Sequence, residues 1–96
     1  MLESKFQSEL IKELESEFPG CLVLKNDSSY RQGIPDLSIF YEDKWAMLEC
    51  KKSKTAGHQP NQDNYISKLN NMSYAAFVFP ENREEIISEL RQVFGS

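Results

Sequence analysis

Gly33-Ile34-Pro35-Asp36-Leu37 and, with twelve residues between Asp36 and Glu49, Leu48-Glu49-Cys50-Lys51 decide how this chain folds. Residues 36–41 and 44–51 are apolar runs of strand length separated only by Glu42-Asp43, so they read as two strands joined by a turn. With a two-residue loop Tyr41 faces Lys44, and the same register sets Asp36 directly opposite Glu49. Side chains alternate along a strand, so Lys51 shares the face of Glu49, while Leu48 and Cys50 point to the other face. Glu-Asp lacks the Asn-Gly chemistry that favours the tightest hairpins, and a longer loop would shift this register. Two carboxylates placed opposite each other repel unless something cationic lies between them. A divalent ion with oxygen ligands meets that need, and Lys51 supplies a further donor beside it. Charges that end such apolar runs are costly unless a site uses them.

Outward from this pair, Leu2, Phe6, Leu10, Ile11, Leu14 and Phe18 recur every three to four positions, which predicts an amphipathic helix ended by Pro19 and Gly20. Residues 21–25 read as a short strand feeding a polar loop over 26–33. After the polar, Gly- and Pro-punctuated stretch 53–61, helical spacing resumes from Gln62 through Tyr65, Ile66 and Leu69, with Asn61 as the expected N-cap. Residues 74–79 form an apolar run that Pro80 ends, a buried strand. Asn82 and Glu85 stand at capping-box spacing ahead of a last helix that buries Ile86, Ile87, Leu90, Val93 and Phe94. The order α-β-β-β-α-β-α implies an α/β fold, one mixed sheet flanked by helices.

Ninety-six residues with 40% hydrophobic content suffice for one compact core, so residues 1–96 are expected to form a single domain. No uninterrupted apolar stretch resembles an export signal or a membrane span, and a soluble protein of the cytoplasm is expected, in the host cell if its source is viral. Cys21 and Cys50 fit no metal-ligand spacing and sit in apolar runs, as reduced, packed thiols do. A single histidine, His58, and the absence of a nucleophile elbow exclude Ser-His and Cys-His chemistry.

The formal charge of −4 argues against nucleic acid only as a sum. Residues 25–58 carry six bases against five acids, net +1, and the rest of the chain holds the remaining −5. A cation that neutralises Asp36 and Glu49 leaves the middle segment at +3, a basic strip on an acidic body.

Four features together resemble the PD-(D/E)XK nuclease superfamily, and specifically its VRR-NUC branch of stand-alone, virus-type nucleases similar to Holliday junction resolvases. They are Glu3-Ser4 with Gln7 on the first helix, Gly33-Ile34-Pro35-Asp36-Leu37, Leu48-Glu49-Cys50-Lys51, and Gln62 ahead of Tyr65 and Leu69. The resemblance implies a restriction-endonuclease-like core and a divalent-metal-dependent endodeoxyribonuclease selective for branched DNA such as Holliday junctions. It implies that Asp36, Glu49 and the Cys50 carbonyl bind Mg2+ or Mn2+, and that Lys51 positions or activates the attacking water. It further implies that Glu3 completes the metal shell, that Gln62 orients Lys51 or the phosphate, and that the working form is a homodimer without an organic cofactor. On spacing alone, Glu3 falls with Gln7, Leu10 and Leu14 beside the apolar stripe, and Glu9 and Glu13 compete for its role.

Lys25, Tyr30, Arg31, Lys52, Lys54 and His58 are the candidate DNA contacts, Tyr30 for base stacking and the cations for phosphates. His58 has no partner spacing that suggests chemistry, and Phe40 and Trp45 are expected in the core or at a dimer contact. A non-catalytic DNA-binding or scaffolding protein on the same fold is the rival from another class. A sequence-specific restriction-type endonuclease is the rival among enzymes, although the chain leaves little room for a target-reading module.

Overall fold

The computed structural model describes residues 2–95. Helix α1 (Glu3–Glu17) precedes strands β1 (Leu22–Lys25), β2 (Leu37–Tyr41) and β3 (Lys44–Cys50). Helix α2 (Pro60–Met72) leads to β4 (Ala75–Val78), and a 3₁₀ turn (Pro80–Asn82) runs into α3 (Arg83–Gly95). The sheet order is β1-β2-β3-β4, with the first three strands antiparallel and β4 parallel to β3, so the sheet is mixed as the sequence implies. A parallel neighbour requires a crossover, and α2 supplies it.

Tyr41 pairs with Lys44 and Leu37 with Leu48, so Glu42 and Asp43 do form a two-residue loop. Glu42 reaches it by taking a φ of 57°, the left-handed conformation that a primed hairpin turn needs at its first central position. That conformation costs an L-residue roughly 1–2 kcal/mol. The apolar alternation of both strands holds it there, because a slip by one residue would turn every core side chain toward solvent.

Leu37, Ile39, Ala46, Leu48 and Cys50 point to one face of the sheet, against Phe6, Leu10 and Leu14 of α1 and Ile87, Leu90 and Phe94 of α3. Each such large side chain contributes about 1.5–3 kcal/mol on burial. Leu2 does not belong to this stripe. It precedes the first turn of α1 as its N-cap and is 73% exposed.

The other face is covered by α2 alone, and no residue of α2 is fully buried. Phe40 therefore remains largely exposed, as do Leu22 and Leu24 of the edge strand β1, while Trp45 and Met47 are partly covered. Phe40 is a surface residue and not a core residue.

Two caps differ from the sequence-based expectation. Helix α2 starts at Pro60, whose fixed φ and missing N–H suit a first helical position. Gln59 is its N-cap, and the backbone N–H of Gln59 donates to Oε1 of Gln62 (3.0 Å). Asn61 thus lies inside the helix, and Gln62 is its third residue. Asn82 does not cap α3 with Glu85. Its Oδ1 accepts from the Phe79 N–H (2.8 Å) and its Nδ2 donates to the Phe77 carbonyl (3.1 Å), which closes the turn after β4. Cys21 and Cys50 are both free thiols. No helix among the described residues is long and apolar enough to cross a membrane.

Candidate active site

Asp36, one residue before β2, and Glu49, near the end of β3, meet where the hairpin register carries them. The Asp36 backbone N–H donates to Glu49 Oε1 (3.2 Å), and the Cys50 N–H donates to Asp36 Oδ2 (2.9 Å). Each carboxyl group thus accepts from a backbone N–H of the neighbouring segment, Glu49 from Asp36 and Asp36 from Cys50, at the sheet's end. Lys51 Nζ lies 3.7 Å from Glu49 Oε2, and both side chains are almost completely buried. Gln62 locks them together: Lys51 Nζ donates to its Oε1 (2.9 Å), and its Nε2 donates to Glu49 Oε2 (2.9 Å). The capping role of Gln62 in α2 fixes the same Oε1, so the fold of the helix start and the geometry of the site rest on one amide.

The electrostatics follow from burial. Loss of water first, and the Asp36 charge second, push the Glu49 carboxyl up to about 7, with Lys51 and the Asp36 N–H opposing them. Burial also holds Asp36 above its ordinary range, against the Cys50 N–H and Lys51, which pull the other way. Burial pushes the Cys50 thiol up to about 12, so it is no thiolate nucleophile.

Glu3 lies exposed in the first turn of α1, yet its negative charge raises both Glu49 and Cys50. Gln7, one helical turn further on, bonds to the Cys50 thiol. Glu13, a competing candidate, is paired with Arg83 (3.3 Å). The arrangement therefore brings Asp36, Glu49, Lys51 and Gln62 together and leaves Glu3 at the margin. Among the described residues no three His, Cys, Asp or Glu side chains stand close enough together to hold an ion as they are.

Lys25, Tyr30, Arg31, Lys52 and Lys54 are all exposed around this end of the sheet. His58 is more constrained than a surface loop residue. Its ring stacks on Phe77 (centroids 3.9 Å apart, 13° between planes), and its Nδ1 meets Asp63 at 3.0 Å.

Three further residues support the site, of which Gly33 and Tyr65 stand in the quoted motifs without an assigned role and Asn26 carries no signal in the sequence. Asn26 ties down the approach to Asp36: its backbone N–H donates to the Asp36 carbonyl (2.8 Å), and its Nδ2 donates to the Pro35 carbonyl (2.8 Å) and Ser38 Oγ (2.9 Å). Tyr65 accepts from Arg31 Nη1 (3.3 Å), joining the loop before Asp36 to α2. Gly33 is buried at φ +90° against Asn61, where an added Cβ would stand 2.7 Å from the Asn61 side chain. Gly33→Ala is expected to destabilise the protein by roughly 1–3 kcal/mol, from backbone strain and the clash together. Melting curves check this, and a parent-like melting temperature would contradict the account.

A solved structure described as a "VRR_NUC domain protein" is similar to this chain, with a TM-score of 0.71 over 99% of this chain and 89% of that one, at 17% sequence identity. No protein-family model matches the sequence, and no curated protein matches it. The protein has the VRR-NUC type nuclease fold.

Proposed function

We propose that this protein is a divalent-metal-dependent endodeoxyribonuclease, acting on branched DNA such as Holliday junctions with Mg2+ or Mn2+. The observation that carries the reading is the Asp36–Glu49 pair, with Lys51 and Gln62 bonded onto it, at the end of the sheet in a nuclease fold. The donor set fits such an ion: the buried Glu49 and half-buried Asp36 carboxylates present hard oxygen ligands side by side, and a divalent cation would relieve their mutual repulsion. Asp36, Glu49 and the Cys50 carbonyl would hold it, with Glu3 contributing from the margin. When bound, a divalent cation neutralises charge on the scissile phosphate and lowers the pKa of a water.

The chain's own residues do the rest. Gln62 holds one oxygen of Glu49, so the carboxylate keeps its orientation. Lys51, held by the same amide, stands beside the pair to orient the attacking water and to stabilise negative charge on the phosphate. The single experiment that tests the reading is cleavage of plasmid and four-way-junction DNA by purified protein with Mg2+, Mn2+ or EDTA. Cleavage in EDTA, or none in either metal, contradicts it.

The cations Lys25, Arg31, Lys52 and Lys54 meet phosphates in this reading, with His58 beside them. Log affinity is then expected to fall against log salt with a slope of about −3 to −4, from four phosphate contacts. A flat dependence would show that they do not bind the backbone. The working form is a homodimer in this reading, because a four-way junction needs two symmetric cuts. Leu22, Leu24 and Phe40, adjacent on an open sheet face, supply the apolar surface. Sedimentation is expected to show a dimer at micromolar concentration, and intact junction cleavage by a pure monomer would overturn it.

A further inference from the structure

Two recesses meet at Arg31. The first, of about 500 Å³, lies under the loop before Asp36 and is lined by Asn26, Asp27, Tyr30, Arg31, Ile34 and Met47. Its size falls within the range of small-molecule sites, roughly 300–1,000 Å³. Tyr30, Ile34 and Met47 make it mainly apolar, with the Tyr30 ring free at its edge, 87% exposed. Asp27 Oδ1 at its rim accepts from the Ser29 backbone and hydroxyl. The second recess is polar, lined by Arg31, Asn61, Asn64, Tyr65 and Lys68. It holds two cations, two amides and a phenol, and no carboxylate, on a protein whose formal charge is −4.

An unpaired DNA strand alternates these requirements, a flat apolar base and an anionic phosphodiester. Both recesses are lined by sequence neighbours of the candidate site, Ile34 two residues before Asp36 and Asn61 next to Gln62. The bond from Arg31 to Tyr65 ties their walls together. We infer that the two recesses form one track for an unpaired DNA strand, in which a base rests on Tyr30 over Met47 and the following phosphates run along Arg31 and Lys68. The inference rests on the proposed DNA substrate and deepens it: among branched DNAs, those with a single-stranded arm beside the cut gain a contact that a fully paired junction lacks.

The test compares binding of a short single strand, a flapped duplex and a plain duplex to the full chain, with Ca2+ replacing Mg2+. Cleavage of the same DNAs in Mg2+ is measured alongside. Tyr30→Ala is expected to weaken single-strand and flap binding about tenfold, the order of one lost base stack, and to leave plain-duplex binding within about twofold. Tyr30→Phe keeps the ring and should restore parent affinity, which a hydroxyl contact would not. Lys68→Ala is expected to reduce the salt dependence of single-strand binding by about one phosphate. Equal losses on all three DNAs, or none, overturn the track. So does a change in oligomeric state in Tyr30→Ala, which would make the apolar recess a contact between copies. If the parent protein cuts duplex and branched DNA but shows none of these differences, the track alone fails. If it cuts no DNA, the nuclease reading fails as well.

Discussion

Glu49→Gln is expected to cut plasmid and junction DNA at no measurable rate, and to lose the pH dependence of stability that Glu49 gives the metal-free parent. The sign follows from the position of its carboxyl. Burial and Asp36 hold it near 7 in the folded chain, above an unfolded value of about 4.3. The folded protein therefore retains a proton that the unfolded chain has released, and metal-free stability declines as pH rises from about 4 to 7. The full decline is about 4 kcal/mol, which in a domain of this size moves the melting temperature by more than 10 °C. An amide at position 49 does not titrate, so its melting temperature should fall less over that range, by the share that the raised Asp36 carboxyl still contributes. The amide still accepts from the Asp36 N–H, but it cannot satisfy both itself and Gln62 Nε2 without turning one of the two amides. Part of the relief from repulsion at pH 8 is therefore offset. Mg2+ should raise the melting temperature of the parent more than that of the variant. In the parent, Mg2+ affinity should fall below pH 7, as protons compete for the Glu49 oxygens. A variant that cleaves normally, or that Mg2+ stabilises as strongly as the parent, would remove the chemical basis of the site.

Lys51→Met should also stop cleavage, by roughly 10²- to 10⁴-fold, the range for a positioned group that manages a proton in the transition state. Its effect on the metal is expected to be the opposite. Both carboxylates stay, and the positive charge that stands 3.7 Å from Glu49 is gone, so at pH 8 Mg2+ binds as well as in the parent or more tightly. Without Lys51 the Glu49 carboxyl protonates at higher pH, since Lys51 is the larger of the two influences, with the Asp36 N–H, that oppose its upward shift. The pH below which Mg2+ binding fades should move upward accordingly. The site survives the loss geometrically, because Gln62 Oε1 still accepts from the Gln59 N–H. Calorimetric Mg2+ titrations at pH 6, 7 and 8, with the nicking assay, check these limbs. Normal cleavage would show that Lys51 has no part in the chemistry, and loss of Mg2+ binding would show that its role is to hold the carboxylates in place.

Much of the fold was legible in the chain because its causes are local. The spacing of Phe6, Leu10 and Leu14, and the alternation in residues 36–41 and 44–51, are one-dimensional patterns that burial turns into a helix face and a sheet face. The register of Asp36 against Glu49 needed only the length of the loop at Glu42-Asp43, since each strand step repeats the same pairing. Lys51 and Cys50 were separated onto opposite faces by the same alternation. The weakness read in that turn was real, and Glu42 meets it with a positive φ instead of a glycine.

Other features depended on segments far apart in the chain. The start of α2 was set by Pro60 and by the double use of Gln62, and local cap preference alone favoured Asn61. Asn26, Gly33 and the Arg31–Tyr65 bond became supports of the site only when the loop over 26–33 closed onto α2. The charge of Glu3 reaches Glu49 only because α1 packs on the sheet's buried face with its first turns beside Cys50 at the end of β3. Periodicity and register by themselves determined which residues share a strand face and hence the acid pair; which loops and helix ends surround that pair was decided by the tertiary structure, because loop closure and packing act between residues that no local pattern connects.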